Sequence, residues 1–160
     1  MQRWIERRRD GTIAVELQDV ERETLSSLLE QLRDLLLAGD RNALRRLYPT
    51  AYPQHENLEQ DYRSLVHDSL LAQRLDTIDA MQATLSCTTL SDEELGTWMT
   101  GVNSVRLTLG TLLDVSEDDA LPSPDDADFD QRSLYYLLGL LLEQIVDVMF
   151  DTLPEEGTEA

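Results

Sequence analysis

Few groups in this chain could do chemistry. There are two histidines, His55 and His67, one cysteine, Cys87, and 13 basic residues, all of them arginine. His67 falls inside a helical pattern beside Arg63 and Asp68, and His55 precedes Glu56. Neither has companions at metal-ligand spacing, so both read as solvated or flanking histidines. The sequence contains no Gly-rich phosphate loop, no nucleophile elbow and no paired-cysteine metal motif. The acidic stretch 116–130 lacks the glycine and terminal glutamate of an EF-hand loop. No catalytic residue, metal or cofactor is therefore expected.

One compact polar cluster stands inside an apolar pattern: Trp98, Asn103 and Arg106, with Tyr62 expected nearby. Arg106 is a cation at the edge of an apolar stripe. Its structural role would be to pair a carboxylate or carbonyl groups between helices. Its functional role would be contact with an anion or a partner. A buried guanidinium must be paired in either case, because an isolated buried charge is very costly. Cys87 supports two readings, a small buried hydrophobe or a redox-responsive thiol acting between chains. It follows a helix C-terminus, where the dipole disfavours a thiolate.

The helix that must position this cluster spans Ser91 to Val115. Ser91 and Glu94 form a capping box, and Asp92, Glu93 and Glu94 place negative charge at the positive end of the dipole. Leu95, Trp98, Val102, Val105, Leu109 and Leu112 recur at steps of three and four, which predicts one buried face. Gly96, Asn103 and Gly110 recur at steps of seven, which predicts a row along which a second element approaches closely.

The neighbouring segments follow from similar signals. Residues 2–18 read as a β-hairpin turning at Asp10-Gly11, and a two-residue loop would set Trp4 opposite Leu17. Asp19 is the expected N-cap of a helix over 20–38 that Gly39 stops. A short helix near 41–47 leads to Leu47–Pro53, where Pro49 and Pro53 rule out regular helix and Tyr48 and Tyr52 wedge against the core. A long helix follows over 56–86, its apolar stripe drifting from Leu58 and Tyr62 to Leu85. Residues 87–90 look extended enough to add a third strand to the hairpin. The last helix, about 131–152, is apolar over more than one face. The expected class is mostly α: a bundle of four main helices with an N-terminal hairpin, forming one domain over 1–153 and a flexible acidic tail at 154–160.

Composition narrows the function. With 160 residues and 41% hydrophobic content, the chain can bury a core without staples. A net charge of −19 argues against direct nucleic-acid binding and against anionic membranes. One cysteine excludes an intramolecular disulfide. The N-terminus lacks the apolar segment of a signal peptide, and the longest apolar run, Leu134 to Leu142, is too short to span a bilayer, so a cytoplasmic location is expected.

Several stretches together resemble the actinobacterial domain of unknown function family two thousand and seventeen. They are the glycine-containing hairpin followed by Asp19-Val20-Glu21-Arg22, the Leu47-Tyr48-Pro49-Thr50-Ala51-Tyr52-Pro53 turn, and Asp61-Tyr62-Arg63. The most specific is the run from Trp98 through Val102-Asn103-Ser104-Val105-Arg106-Leu107-Thr108-Leu109-Gly110-Thr111. Ser104 stands where the family usually has Asp, and Leu112 where it has a basic residue. The resemblance implies little chemistry. It implies an intracellular, proteolysis-linked setting, since such genes commonly neighbour the adaptor of the Clp protease.

The reading these observations favour is a non-enzymatic regulatory module that binds a protein partner of basic character. A homodimer through the last helix is compatible with it. The alternatives are a small-anion-binding or catalytic domain with its pocket near Trp98, Asn103 and Arg106, and a nucleic-acid mimic that binds a basic protein.

Overall fold

Asp10 and Gly11 do close the N-terminal hairpin, but as part of a three-residue loop. The structure, a computed structural model, describes residues 2–47, 56–115 and 121–151, without the side chains of residues 56, 59 and 62–65. Gly11 takes φ +88°, a left-handed conformation that glycine adopts without a Cβ penalty. Its N–H donates to the Arg8 carbonyl at 2.9 Å, and the Arg8 N–H donates to the Thr12 carbonyl at 2.8 Å. Strand β1 (Ile5–Arg7) therefore pairs with β2 (Ile13–Val15) in the register Ile5↔Val15 and Arg7↔Ile13.

That corrects the register expected from a two-residue loop. A one-residue slip exchanges the faces of a strand, so Ile5, not Trp4, shares the core face with Val15. Trp4 lies past the strand end, where its carbonyl accepts from the Glu16 N–H at 2.8 Å. Strand β3 (Thr89–Leu90) adds to the free edge of β2, with Ile13↔Leu90 in register. The sheet order is β1-β2-β3.

Helix α1 (Asp19–Ala38) begins one residue earlier than expected: Gln18, not Asp19, is the N-cap. Glu21 decides this. One of its carboxylate oxygens accepts from the Gln18 N–H at 2.8 Å, and the other accepts from the Trp4 indole N–H at 2.7 Å. A single glutamate thus caps the helix and ties it to the hairpin. Gly39 stops α1 at φ +68°. The short α2 (Arg41–Leu44) is capped by Asp40, which accepts from the Ala43 N–H at 3.1 Å. The long α3 (Glu56–Thr84) turns inward late, burying Ile78 and Met81, with Leu85 just beyond its end.

Helix α4 (Asp92–Leu112) carries the expected capping box of Ser91 and Glu94. It packs against α1, α2, α3, β3 and α5 (Phe129–Phe150), and β1 leans on α5. The expected hub position of this helix is therefore observed. Its buried surface differs from the expected stripe toward the C-terminus. Leu112 is 61% exposed and Leu109 only partly covered, while Ser104, Thr108 and Thr111 are buried. The hydroxyls of Thr108 and Thr111 donate to carbonyls four residues back, at 2.9 and 2.8 Å. That satisfies them without any partner helix, so a polar row can occupy an interior face.

The last turn of α4 has no basic residue of its own. Arginines from other segments serve its negative end. Arg46 donates to the Val115 carbonyl at 2.7 Å, Arg132 to the Leu113 carbonyl at 3.3 Å, and Arg45 lies 3.6 Å from the Asp114 carboxylate. Cations at a helix C-terminus offset the macrodipole and satisfy orphan carbonyls.

Candidate functional site

Trp98 is completely buried. Its position on the first third of α4 faces the end of α3, and the indole N–H donates to the Thr84 hydroxyl at 2.7 Å. A buried indole needs such a partner, and here the partner is structural. No open surface reaches Trp98, so it holds elements together and cannot touch a ligand.

Among the described residues Arg106 shows neither the carboxylate nor the carbonyl pairing that a structural role would give it. No carboxylate pairs with it among the described residues. Its guanidinium carbon instead lies 4.6 Å from the centroid of the Tyr135 ring. Its Nε is buried with no hydrogen-bond partner among the described residues. A Cβ on Gly139 of α5 would stand 3.3 Å from that Nε. The cation is thus held by an aromatic face and a close helix approach, an interaction of about 0.5–2 kcal/mol.

Asn103 points elsewhere, outward into a cavity of about 360 Å³. Its polar lining comprises Asn103, Thr100 and Ser104 from α4, Arg74 from α3, and Arg46 after α2; Met99, Leu107 and Val146 are among its apolar walls. Arg74 donates to the Leu47 carbonyl at 2.7 Å and to the Ser104 hydroxyl at 3.3 Å. The structure therefore separates the expected cluster. Asn103 lines a cavity, Trp98 lies in the core, Arg106 stacks on α5, and the Tyr62 side chain lies outside the described residues. The Tyr48–Tyr52 turn also lies outside them.

The two arginines of this cavity were missed in the sequence. Arg74 carried a usable signal, since it sits between Leu71 and Ile78 at helical spacing, a cation in an apolar row like Arg106. Arg46 carried none, because it reaches the site from a turn. Arg22, within the Asp19-Val20-Glu21-Arg22 segment, also proves central. Its guanidinium donates to the carbonyls of Leu17 at 3.1 Å, Cys87 at 2.9 Å, Val15 and Leu85. It locks α1 to β2 and to the segment leading into β3. Cys87 is half-buried beside the core and unbridged.

A second concavity, of about 330 Å³, runs between α1 and the first half of α5. Leu28 and Leu134 line it together with Val20, Glu23, Thr24, Ser27 and Gln31. Val20 is 63% exposed, and Leu137, one turn past Leu134, is 45% exposed. By length and composition α5 could cross a membrane, and 22% of its most apolar window is buried. Glu143 and Asp147 interrupt its exposed face.

Of the Arg7-Arg8-Arg9 run, Arg7 pairs with Asp92 at 2.6 Å, which fixes the hairpin to the start of α4. Asp10 accepts from the Thr12 hydroxyl at 2.7 Å and from the Thr12 N–H at 3.0 Å. Those bonds, the hydroxyl's first, hold its carboxyl below the ordinary value.

The architecture is that of a helical bundle wrapped around one central helix and closed by a three-stranded sheet. Among the described residues its candidate sites include a cavity lined by Arg46 and Arg74 and a groove lined by Leu28 and Leu134. The sequence matches the family described as Domain of unknown function (DUF2017) over residues 1–149, and the chain belongs to that family. No curated protein and no solved structure matches it.

Proposed function

We propose that this protein is a non-enzymatic regulatory module that binds a protein partner of basic character, in a cytoplasmic setting. The observation that carries the reading is the groove between α1 and α5. Leu28 and Leu134 give it an apolar lining, Val20 stands exposed within it, and Glu23, Thr24, Ser27 and Gln31 supply polar sides. Grooves of this kind accept an amphipathic helix through its apolar anchors. A net charge of −19 would speed encounter with a cationic partner, while buried apolar contacts would supply most of the affinity.

The test is capture from native cells with wild-type protein and with a folded Val20→Asp variant. A basic partner should come down at low salt, weaken at about 0.5 M salt, and be lost in the variant. Recovery of nothing at either salt, or equal recovery by the variant, would refute the reading.

The cavity at Asn103 supports a second reading, the binding of a small anion by Arg46 and Arg74. A thermal-shift screen against anionic metabolites tests it. A shift that survives Arg46→Ala in a folded protein would exclude this cavity as the binding site.

A further inference from the structure

The outer face of α5 has a pattern that the groove does not use. From Phe129 to Phe150 its residues recur at alternating steps of four and three, through Ser133, Tyr136, Leu140, Glu143 and Asp147. Positions so spaced share one face of a helix, and four of the seven along this seam, Phe129, Tyr136, Leu140 and Phe150, are aromatic or aliphatic. Yet α4 and β1 pack against α5, whose buried residues Leu138, Leu141, Ile145 and Val148 lie on the opposite face. On the seam Tyr136 is 45% and Phe150 65% exposed, Glu143 and Asp147 are exposed, and Leu140 is half-covered.

The seam is complementary to its own reverse. Set antiparallel to a copy of itself with Leu140 at the two-fold axis, Phe129 meets Phe150, Ser133 meets Asp147, Tyr136 meets Glu143, and Leu140 meets Leu140. Each carboxylate then faces a hydroxyl donor, and each apolar residue faces an apolar one. Neither the Ser133 nor the Tyr136 hydroxyl has another hydrogen bond among the described residues. A parallel pairing would set Glu143 on Glu143 and Asp147 on Asp147, two like-charge contacts. The antiparallel arrangement also opposes the two helix dipoles.

We propose that two copies of this chain associate through the outer face of α5, crossing antiparallel about a two-fold axis at Leu140. The interface is isologous, so each contact occurs twice. It leaves the groove between α1 and α5 on a different flank, and the proposal stands independently of the partner proposed for that groove. Each copy carries a net charge of −19. The copies repel one another over a Debye length, and salt screens that repulsion. Added salt therefore strengthens this contact, whereas it weakens contact with a basic partner.

The experiment is sedimentation equilibrium of the full chain at about 50 mM and about 500 mM salt. A monomer–dimer equilibrium is expected, tighter at the higher salt. Tyr136→Arg places a guanidinium opposite Glu143 twice, and should tighten the dimer about tenfold at fixed salt. Leu140→Asp sets two carboxylates together at the axis and should give monomer. Because Leu140 is half-covered, that variant is scored only where its circular dichroism is native. Tyr136 is exposed, so its substitution keeps the test intact. Monomer at all concentrations, a dimer loosened by salt, or a dimer unchanged by Tyr136→Arg would overturn the proposal.

Discussion

Three glycines on α4 should respond to the same substitution with opposite signs. Replacing a helix-interior glycine by alanine removes a propensity cost of about 1 kcal/mol. At Gly96 nothing lies within 4 Å of the added Cβ, so Gly96→Ala should stabilise by about 0.5–1 kcal/mol. At Gly101 the Cβ would stand 2.5 Å from the Met81 sulfur, and Met81 is itself buried in the core. Overpacking of this kind costs about 1–3 kcal/mol, which exceeds the propensity gain. At Gly110 the Cβ would meet the Tyr135 ring at 2.8 Å and Arg46 at 2.9 Å. Arg46 can swing away, but the ring is held under Arg106, so Gly110→Ala should also destabilise. The three variants should separate by about 2 kcal/mol, or about 4–8 °C in Tm for a chain of this size. Thermal unfolding followed by circular dichroism at matched concentration measures this. If Gly101→Ala raised Tm together with Gly96→Ala, the close approach of α3 to α4 would be wrong, and with it the central place of α4.

Trp98→Phe removes the bond to Thr84 and leaves a void, and should lower the unfolding free energy by about 1–3 kcal/mol in urea titration. Gln144 accepts from the N–H groups of Trp4 at 2.8 Å and Ile5 at 3.3 Å, and donates to the Gln2 carbonyl at 2.9 Å. Gln144→Ala should therefore cost about 1–3 kcal/mol and speed amide exchange at Trp4 and Ile5, while Gln144→Glu, which keeps the acceptor, should lose less. Arg22→Ala should strand several carbonyls at once, whereas Arg33→Ala, at an exposed pair with Asp79, should change stability by less than about 1 kcal/mol. The Asp10 carboxyl is held low in the folded state, so its contribution to the turn is present above the unfolded value and lost as pH falls through the folded one. An NMR titration of Asp10 should give a midpoint below 3.8; a midpoint at or above it would remove the Thr12 bonds from the account.

Element identity was legible in the residues because local signals set it. The Ser91–Glu94 box, the Gly39 stop and the leucine spacing of α1 each act within a turn or two of chain. So did the third strand, whose extended residues precede a capped helix. Where two local signals competed, reading along the chain failed. Asp19 resembles a cap, but Glu21 bonds to both Gln18 and Trp4, and that second bond spans the hairpin. The two-residue turn at Asp10-Gly11 was plausible locally, yet one more residue enters the loop and sets Ile5 opposite Val15, while Trp4 stays buried beyond the strand end.

The site divided along the same line. Sequence spacing was enough to show that Trp98, Asn103 and Arg106 share one helix, and that α5 is apolar beyond what a single face needs. Spacing on one helix determines direction around its axis and nothing about what stands opposite. Only the tertiary structure decided that Trp98 faces Thr84 in the core, that Arg106 meets an aromatic ring where a carboxylate or carbonyl groups were expected, and that Asn103 shares a cavity with Arg46 and Arg74. Those partners lie far off in the chain, and a guanidinium donates to carbonyls and carboxylates and stacks on aromatic faces alike, so its sequence neighbours cannot select among them.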